Sequence, residues 1–119
     1  MTPFGEKIRQ LRKDKGINQK QMAADLGVSA AYLSALEHGH RGIPSWQFLQ
    51  RIIGYFNIIW EDAEELQKIA ARSHTRVVVD TENLPSVSTM LANELAANIR
   101  NLDEEDCIYL LEEMTRRSG

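Results

Sequence analysis

Apolar residues recur at helical spacing along most of the chain. Phe4, Ile8 and Leu11 open the pattern, with Lys7, Arg9, Arg12, Lys13 and Lys15 between them. Pro3 suits a first helical turn, where its missing N–H costs nothing. Gly16 stops this helix. Asn18 is a good N-cap for a second helix, Gln19 to Leu26, which Gly27 ends. Ser29 caps a third, short helix through about Leu36, closed by Gly39. The loop His40-Arg41-Gly42-Ile43-Pro44 leads to Ser45, the cap of a fourth helix whose apolar set is Trp46, Leu49, Ile52, Ile53 and Phe56. Asn57 breaks that helix. A fifth runs from about Trp60 to Arg72. Glu61, Asp62, Glu64 and Glu65 fill its first turns, where the helix dipole favours acids. Leu66, Ile69 and Ala70 give it an inward face, and Trp46 and Trp60 read as core residues.

The pattern changes at residues 74–85. Arg76-Val77-Val78-Val79-Asp80 is β-branched and strand-like, and no other segment resembles it. A lone strand cannot satisfy its own backbone groups. The segment is therefore either an extended linker or a strand paired with its copy in a second subunit, the second being the preferred reading. Pro85 and Ser86 open a sixth helix, with Val87, Met90, Leu91, Leu95, Ile99 and Leu102 on one stripe. Asp103 caps a seventh, and Asp106 three residues on completes a short-armed capping box. Its apolar residues are Cys107, Ile108, Leu110, Leu111 and Met114, and the stripe reads as buried. The two helices read as an amphipathic hairpin. The whole is all-α, with a first domain at 1–73 and a linker plus two helices at 74–119.

Composition narrows the class. Of 119 residues, 43% are apolar and 26% charged, as in ordinary globular proteins. No apolar run approaches the roughly 20 residues of a membrane span. The N-terminus carries no signal-peptide pattern, and a single cysteine, Cys107, allows no intrachain disulfide. A cytoplasmic location is the expectation. The net charge of −3 hides an asymmetry: residues 1–57 carry eight Lys/Arg against four Asp/Glu, residues 58–119 six against thirteen. The basic half fits a phosphate-bearing partner.

The segment Gln19 to Leu36 is the most specific feature. Two short helices crossing steeply around a tight turn need a small residue at the crossing, supplied by Ala23, and a positive φ at the turn, supplied by Gly27. Met22, Leu26, Val28, Leu33 and Leu36 close the unit around one core. The run Gln19-Lys-Gln-Met-Ala-Ala-Asp-Leu-Gly-Val-Ser-Ala-Ala-Tyr-Leu-Ser-Ala-Leu-Glu-His-Gly resembles the Cro/C1-type helix-turn-helix family of phage and bacterial repressors. Leu11-Arg12 upstream and Arg41, Pro44 and the fourth helix downstream extend the resemblance over roughly the first 70 residues.

The resemblance implies a five-helix DNA-binding domain whose third helix enters the major groove. It implies phosphate contacts from Asn18 and Gln19 at a helix N-terminus, with Lys20 beside them, from Arg41 and Gly42 in the following loop, and from Ser45 at the next cap. Arg12 and Glu37 match a pair that ties the first helix to the end of the third. The reading face, from Ser29 onward, departs from better-known members. Ala30, Ala31 and Ala35 stand where long amides are common, and alanine offers only its methyl to a thymine. Direct readout is then left to Tyr32, Ser34, Gln21 or His38, or else passes to DNA shape and phosphate contacts.

Other chemistry is weak. His38, His40 and His74 lack the spacing and partners of a metal site, and Cys107 has no histidine in a nucleophile pattern. Asp103-Glu104-Glu105-Asp106 is a helix start enriched in acids. No enzymatic activity, metal or cofactor is expected. The function expected is a sequence-specific regulator of transcription, a repressor that binds double-stranded DNA at a palindrome as a homodimer, with residues 74–119 as the dimerisation segment. The alternatives are an antitoxin, whose acidic half binds a toxin while the helix-turn-helix autoregulates, and an adaptor that binds only proteins.

Overall fold

The computed structural model describes residues 1–119 and contains seven α-helices and no strand. They are α1 (Pro3–Lys15), α2 (Gln19–Leu26), α3 (Ala30–Glu37), α4 (Trp46–Tyr55), α5 (Trp60–Ala71), α6 (Ser86–Asn98) and α7 (Glu104–Ser118), with a single 3-10 turn at Ile99–Asn101. Most of them start at a side chain that accepts an otherwise orphaned backbone N–H. Thr2 accepts from Gly5, Asn18 from Gln21, Ser29 from Tyr32 and Ser45 from Phe48. Each such cap contributes about 1 kcal/mol. Asp103 and Asp106 form the reciprocal capping box of α7, at 2.8 and 3.2 Å. No helix is long and apolar enough to cross a membrane.

The chain divides into two compact units, Met1–Val77 and Val78–Gly119. In the first, α1 packs on α3 and α5, and α2 on α3 and α4. The shared core holds Phe4, Ile8, Met22, Leu33, Leu36, Ile52 and Leu66, all essentially inaccessible. The chain start is stitched into this core. The Thr2 backbone N–H and hydroxyl both donate to the Glu37 carbonyl, at 3.1 and 3.0 Å. The Phe4 N–H donates to the Ser73 hydroxyl, which donates to the Ile69 carbonyl. Gly5 lets α1 approach the end of α3: a Cβ there would lie 2.1 Å from the Glu37 carbonyl oxygen.

Two tryptophans expected in the core are outside it. Trp46 is 68% exposed and Trp60 79% exposed, while Phe48, which the periodicity reading passed over, is buried. At 100° per residue, Trp46 lies about a quarter-turn off the centre of the stripe Phe48, Leu49, Ile52, Ile53. It is also the first residue of α4, and Trp60 stands in the same relation to Leu66 and Ala70 in α5. Trp60 further adopts φ 54°, a left-handed conformation that costs a bulky residue about 1–3 kcal/mol.

The second unit departs further from expectation. Residues 76–80 form no strand within the chain, and Val77, Val78 and Val79 are exposed. The sixth helix ends at Asn98, short of Leu102, and tightens into the 3-10 turn. Helices α6 and α7 do not pack closely against each other, so they form no hairpin core. Neither contains a single buried residue. Cys107, expected in a buried stripe, is only half-buried, because α6 does not pack closely on α7 within this unit.

Candidate nucleic-acid interface

The centre of the first unit is α2, a tight turn and α3. The turn is a glycine-closed helix end: Gly27 sits at φ 72°, its N–H donates to the Ala24 carbonyl, and the Val28 N–H reaches back to Ala23 at 2.9 Å. This pair of bonds satisfies the last carbonyls of α2 and redirects the chain. Val28 packs inward behind the glycine, and Ala23 is buried where α3 crosses. Leu33 and Leu36 seat α3 from below.

Arg12 and Glu37 lock this geometry. Arg12 Nη1 donates to Glu37 Oε2 at 2.6 Å and Nη2 to Oε1 at 3.0 Å, a bidentate pair buried on both sides. Gln19 Nε2 donates to the same carboxylate at 3.4 Å. Burying an ion pair is costly unless its remaining hydrogen bonds are made. Here the fork geometry and the Gln19 amide make them, joining α1, α2 and α3 at one point.

The outer face carries the residues singled out above. Ser29, Ala31 and His38 are exposed on and beside α3, while Ala30, Tyr32 and Ser34 are half-buried along its edges. Lys20, Arg41, Gly42 and Ser45 are exposed, and Asn18 is exposed while capping α2. Ser29 and Ser45 accept cap bonds, at 3.0 and 3.1 Å, which leaves each hydroxyl proton free to donate outward. Gln19 is turned inward to Glu37, and Gln21 is held to Asp25 at 2.8 Å. His38 Nδ1 lies 2.9 Å from the Ser34 carbonyl and donates to it, which leaves Nε2 for solvent or a ligand.

Several long-range contacts were not legible from motif or spacing. Arg41 lies over the Tyr32 ring, 5.9 Å from its centroid, and Tyr32 meets Phe48 edge-to-face at 6.0 Å. Arg51 covers Phe48 at 5.7 Å and donates to the Leu26 carbonyl at the end of α2. Farther along, the Tyr55 hydroxyl donates to Asp25 Oδ2 at 2.6 Å, while Lys15 lies over the Tyr55 ring and donates to its carbonyl. Burial, then the Asp25 carboxylate, push the Tyr55 phenol up to about 12. The Tyr55 hydrogen bond, with that of Gln21, holds Asp25 below the usual carboxylate range. Long-range side-chain contacts of this kind have no sequence period to betray them. No cluster of three or more His, Cys, Asp or Glu side chains converges anywhere in the chain.

Comparison with known proteins bears on this architecture. A helix-turn-helix domain family model matches residues 3–58. The transcriptional repressor RghR of Bacillus subtilis is 36% identical over 61 residues, which cover 51% of this chain and 45% of RghR. The transcriptional regulator SinR of the same organism is 35% identical over 55 residues, 46% of this chain and 50% of SinR. The uncharacterised regulator YazB, also from Bacillus subtilis, is 38% identical over 63 residues, 53% of this chain and 86% of YazB. The matched segments thus span about half the length of RghR and SinR. No solved structure gives a significant match. The glycine-closed turn, the crossing at Ala23, the Arg12–Glu37 lock and the YazB match over most of that protein's length agree: the chain belongs to the Cro/C1-type helix-turn-helix family of transcriptional regulators.

Proposed function

We propose that this chain is a sequence-specific double-stranded-DNA-binding repressor that docks α3 in the major groove and binds a palindromic operator as a homodimer. The observation that carries the reading is the helix-turn-helix itself, with its outer face of Ser29, Ala31, His38, Lys20, Arg41 and Ser45 open to solvent. Small side chains along α3 allow close approach to base edges and to thymine methyls. The caps Asn18 and Ser45, with Lys20 and Arg41, supply phosphate contacts. The dimer is supported by the second unit, most of whose large apolar side chains stand exposed. Folded helices with apolar stripes suit a second copy better than the wrapping tail an antitoxin would use on a toxin.

The test is binding to duplexes enriched from a random pool, followed across salt concentration. Affinity is expected to fall steeply with salt, and Arg41→Ala to weaken binding on every duplex while lowering the salt slope by about one. Retention of full affinity at high salt, or enrichment of no sequence at all, overturns the reading. Enrichment of single half-sites in place of palindromes overturns the dimer alone.

A further inference from the structure

Arg41 makes no hydrogen bond or ion pair within the chain, yet its position is doubly fixed. Its backbone belongs to a turn closed by the Gly42 N–H on the Gly39 carbonyl at 3.4 Å. Gly39 and Gly42 both adopt left-handed φ, 79° and 72°. Gly39 is pressed between two threonines: a Cβ there would lie 2.7 Å from the Thr75 methyl and 2.8 Å from the Thr2 methyl. The Arg41 side chain lies over Tyr32, with the guanidinium carbon 5.9 Å from the ring centroid.

Tyr32 is itself held. Its ring meets Phe48 edge-to-face, and Phe48 is covered on another side by Arg51, which is tied to the Leu26 carbonyl. The series Arg41, Tyr32, Phe48, Arg51 thus runs from an exposed loop through α3 and α4 to the end of α2. A guanidinium held over a ring face by cation–π attraction keeps its N–H donors free while its rotamers are restricted. An arginine so restricted gives up less freedom when it docks on an anion.

From this geometry we infer that Tyr32 is the positioning residue for Arg41: its ring presents the guanidinium to a DNA phosphate, and it acts through that arginine in place of reading a base. The inference rests on the DNA-binding reading above. It assigns Tyr32 to affinity that is uniform across sequences, and leaves base discrimination to the rest of α3.

A double-mutant cycle on the full chain tests it, using one duplex enriched by the wild type and one scrambled duplex of the same length. Every measurement is made where thermal melting shows the variant folded. Tyr32→Phe keeps the ring and is expected to bind like the wild type. Tyr32→Leu keeps apolar contact with Phe48 but removes the ring, and is expected to weaken binding about 2- to 5-fold on both duplexes, the worth of an exposed cation–π contact. In an Arg41→Ala background Tyr32→Leu is expected to cost nothing more. Additive losses overturn the inference, and so does a change in the base that Tyr32→Leu enriches from the random pool, with the Arg41→Ala loss intact in both cases. If Arg41→Ala leaves affinity and salt slope unchanged, the phosphate assignment fails and the inference fails with it.

Discussion

Glu37 shows how one residue can hold three helices. Its side chain is fully buried, accepts both arms of Arg12 and the Gln19 amide, and its own carbonyl receives Thr2. Removing the carboxylate strands a buried guanidinium. Glu37→Ala is therefore expected to lower unfolding free energy by about 3–5 kcal/mol. The paired change Arg12→Met with Glu37→Leu, which removes both charges, is expected to cost clearly less. Urea denaturation of the two variants beside the wild type checks this, and a double change of equal or larger cost would show that the ion pair stabilises beyond its own desolvation. Tyr55 gives a second residue-scale expectation. Its phenol is raised to about 12, so the neutral donor is favoured in the folded state. The associated stability is present below the ordinary tyrosine range near 10 and is lost as pH rises through about 12. Tyrosinate absorbance should show a step near that value that Tyr55→Phe removes. At the acid end the sign reverses: Asp25 is lowered, so its contribution holds above the ordinary aspartate range and fades as pH falls through the depressed value.

At the scale of elements, two glycines in the first unit are needed for different reasons, and substitution separates them. Gly27 is left-handed, but a Cβ there meets nothing within 4 Å. Gly27→Ala should cost only the backbone term, about 1–2 kcal/mol. Gly5 is helical, but its Cβ would collide with the Glu37 backbone at 2.1 Å, so Gly5→Ala must push α1 off α3 and should cost more. Thermal melts that rank them the other way would contradict this account of the turn. The contrast also shows what sequence could reveal. Gly27 was legible because it ends a helical stretch with apolar Met22 and Leu26 and stands two residues before the serine cap Ser29, so local chemistry alone marks it. Gly5 was not, because its constraint comes from a carbonyl 32 positions away in the chain. The caps Asn18, Ser29, Ser45 and Asp103 were local and legible. The Trp46–Phe48 choice was not, since Leu49, Ile52 and Ile53 alone do not favour Phe48 over Trp46, and the packing of α4 on α2 shifts the centre of the buried stripe toward Phe48. The same limit applies at the site. The helix-turn-helix could be placed from its local pattern, whereas the contacts of Arg41 with Tyr32 and of Gln19 with Glu37 depend on distant elements brought together.

For the whole molecule, the decisive fact is that Val78–Gly119 buries none of its side chains. Its helices of 13 and 15 residues are of a length that is marginal alone in water. Ten large apolar side chains on and after α6 and α7 stand open: Val87, Met90, Leu91, Leu95, Ile99, Ile108, Tyr109, Leu110, Leu111 and Met114. Covering a large share of them is the work of an interface, which at standard size takes about 800 Å² from each partner. On the proposed dimer, this surface is what the second copy covers, and the helices hold their shape because it does. Folding of α6 and α7 is then coupled to association, and helicity should depend on protein concentration. Dilution should lose ellipticity in step with the dimer-to-monomer transition followed by sedimentation, while the first unit stays folded around its own core. Leu91→Lys with Leu111→Lys, both at exposed positions, should give a monomer with reduced helicity that still binds a half-site but has lost the added affinity for a palindrome. A double variant that remains dimeric and binds palindromes as before would place the interface elsewhere. A monomeric wild type with full, concentration-independent helicity would show that these helices need no partner.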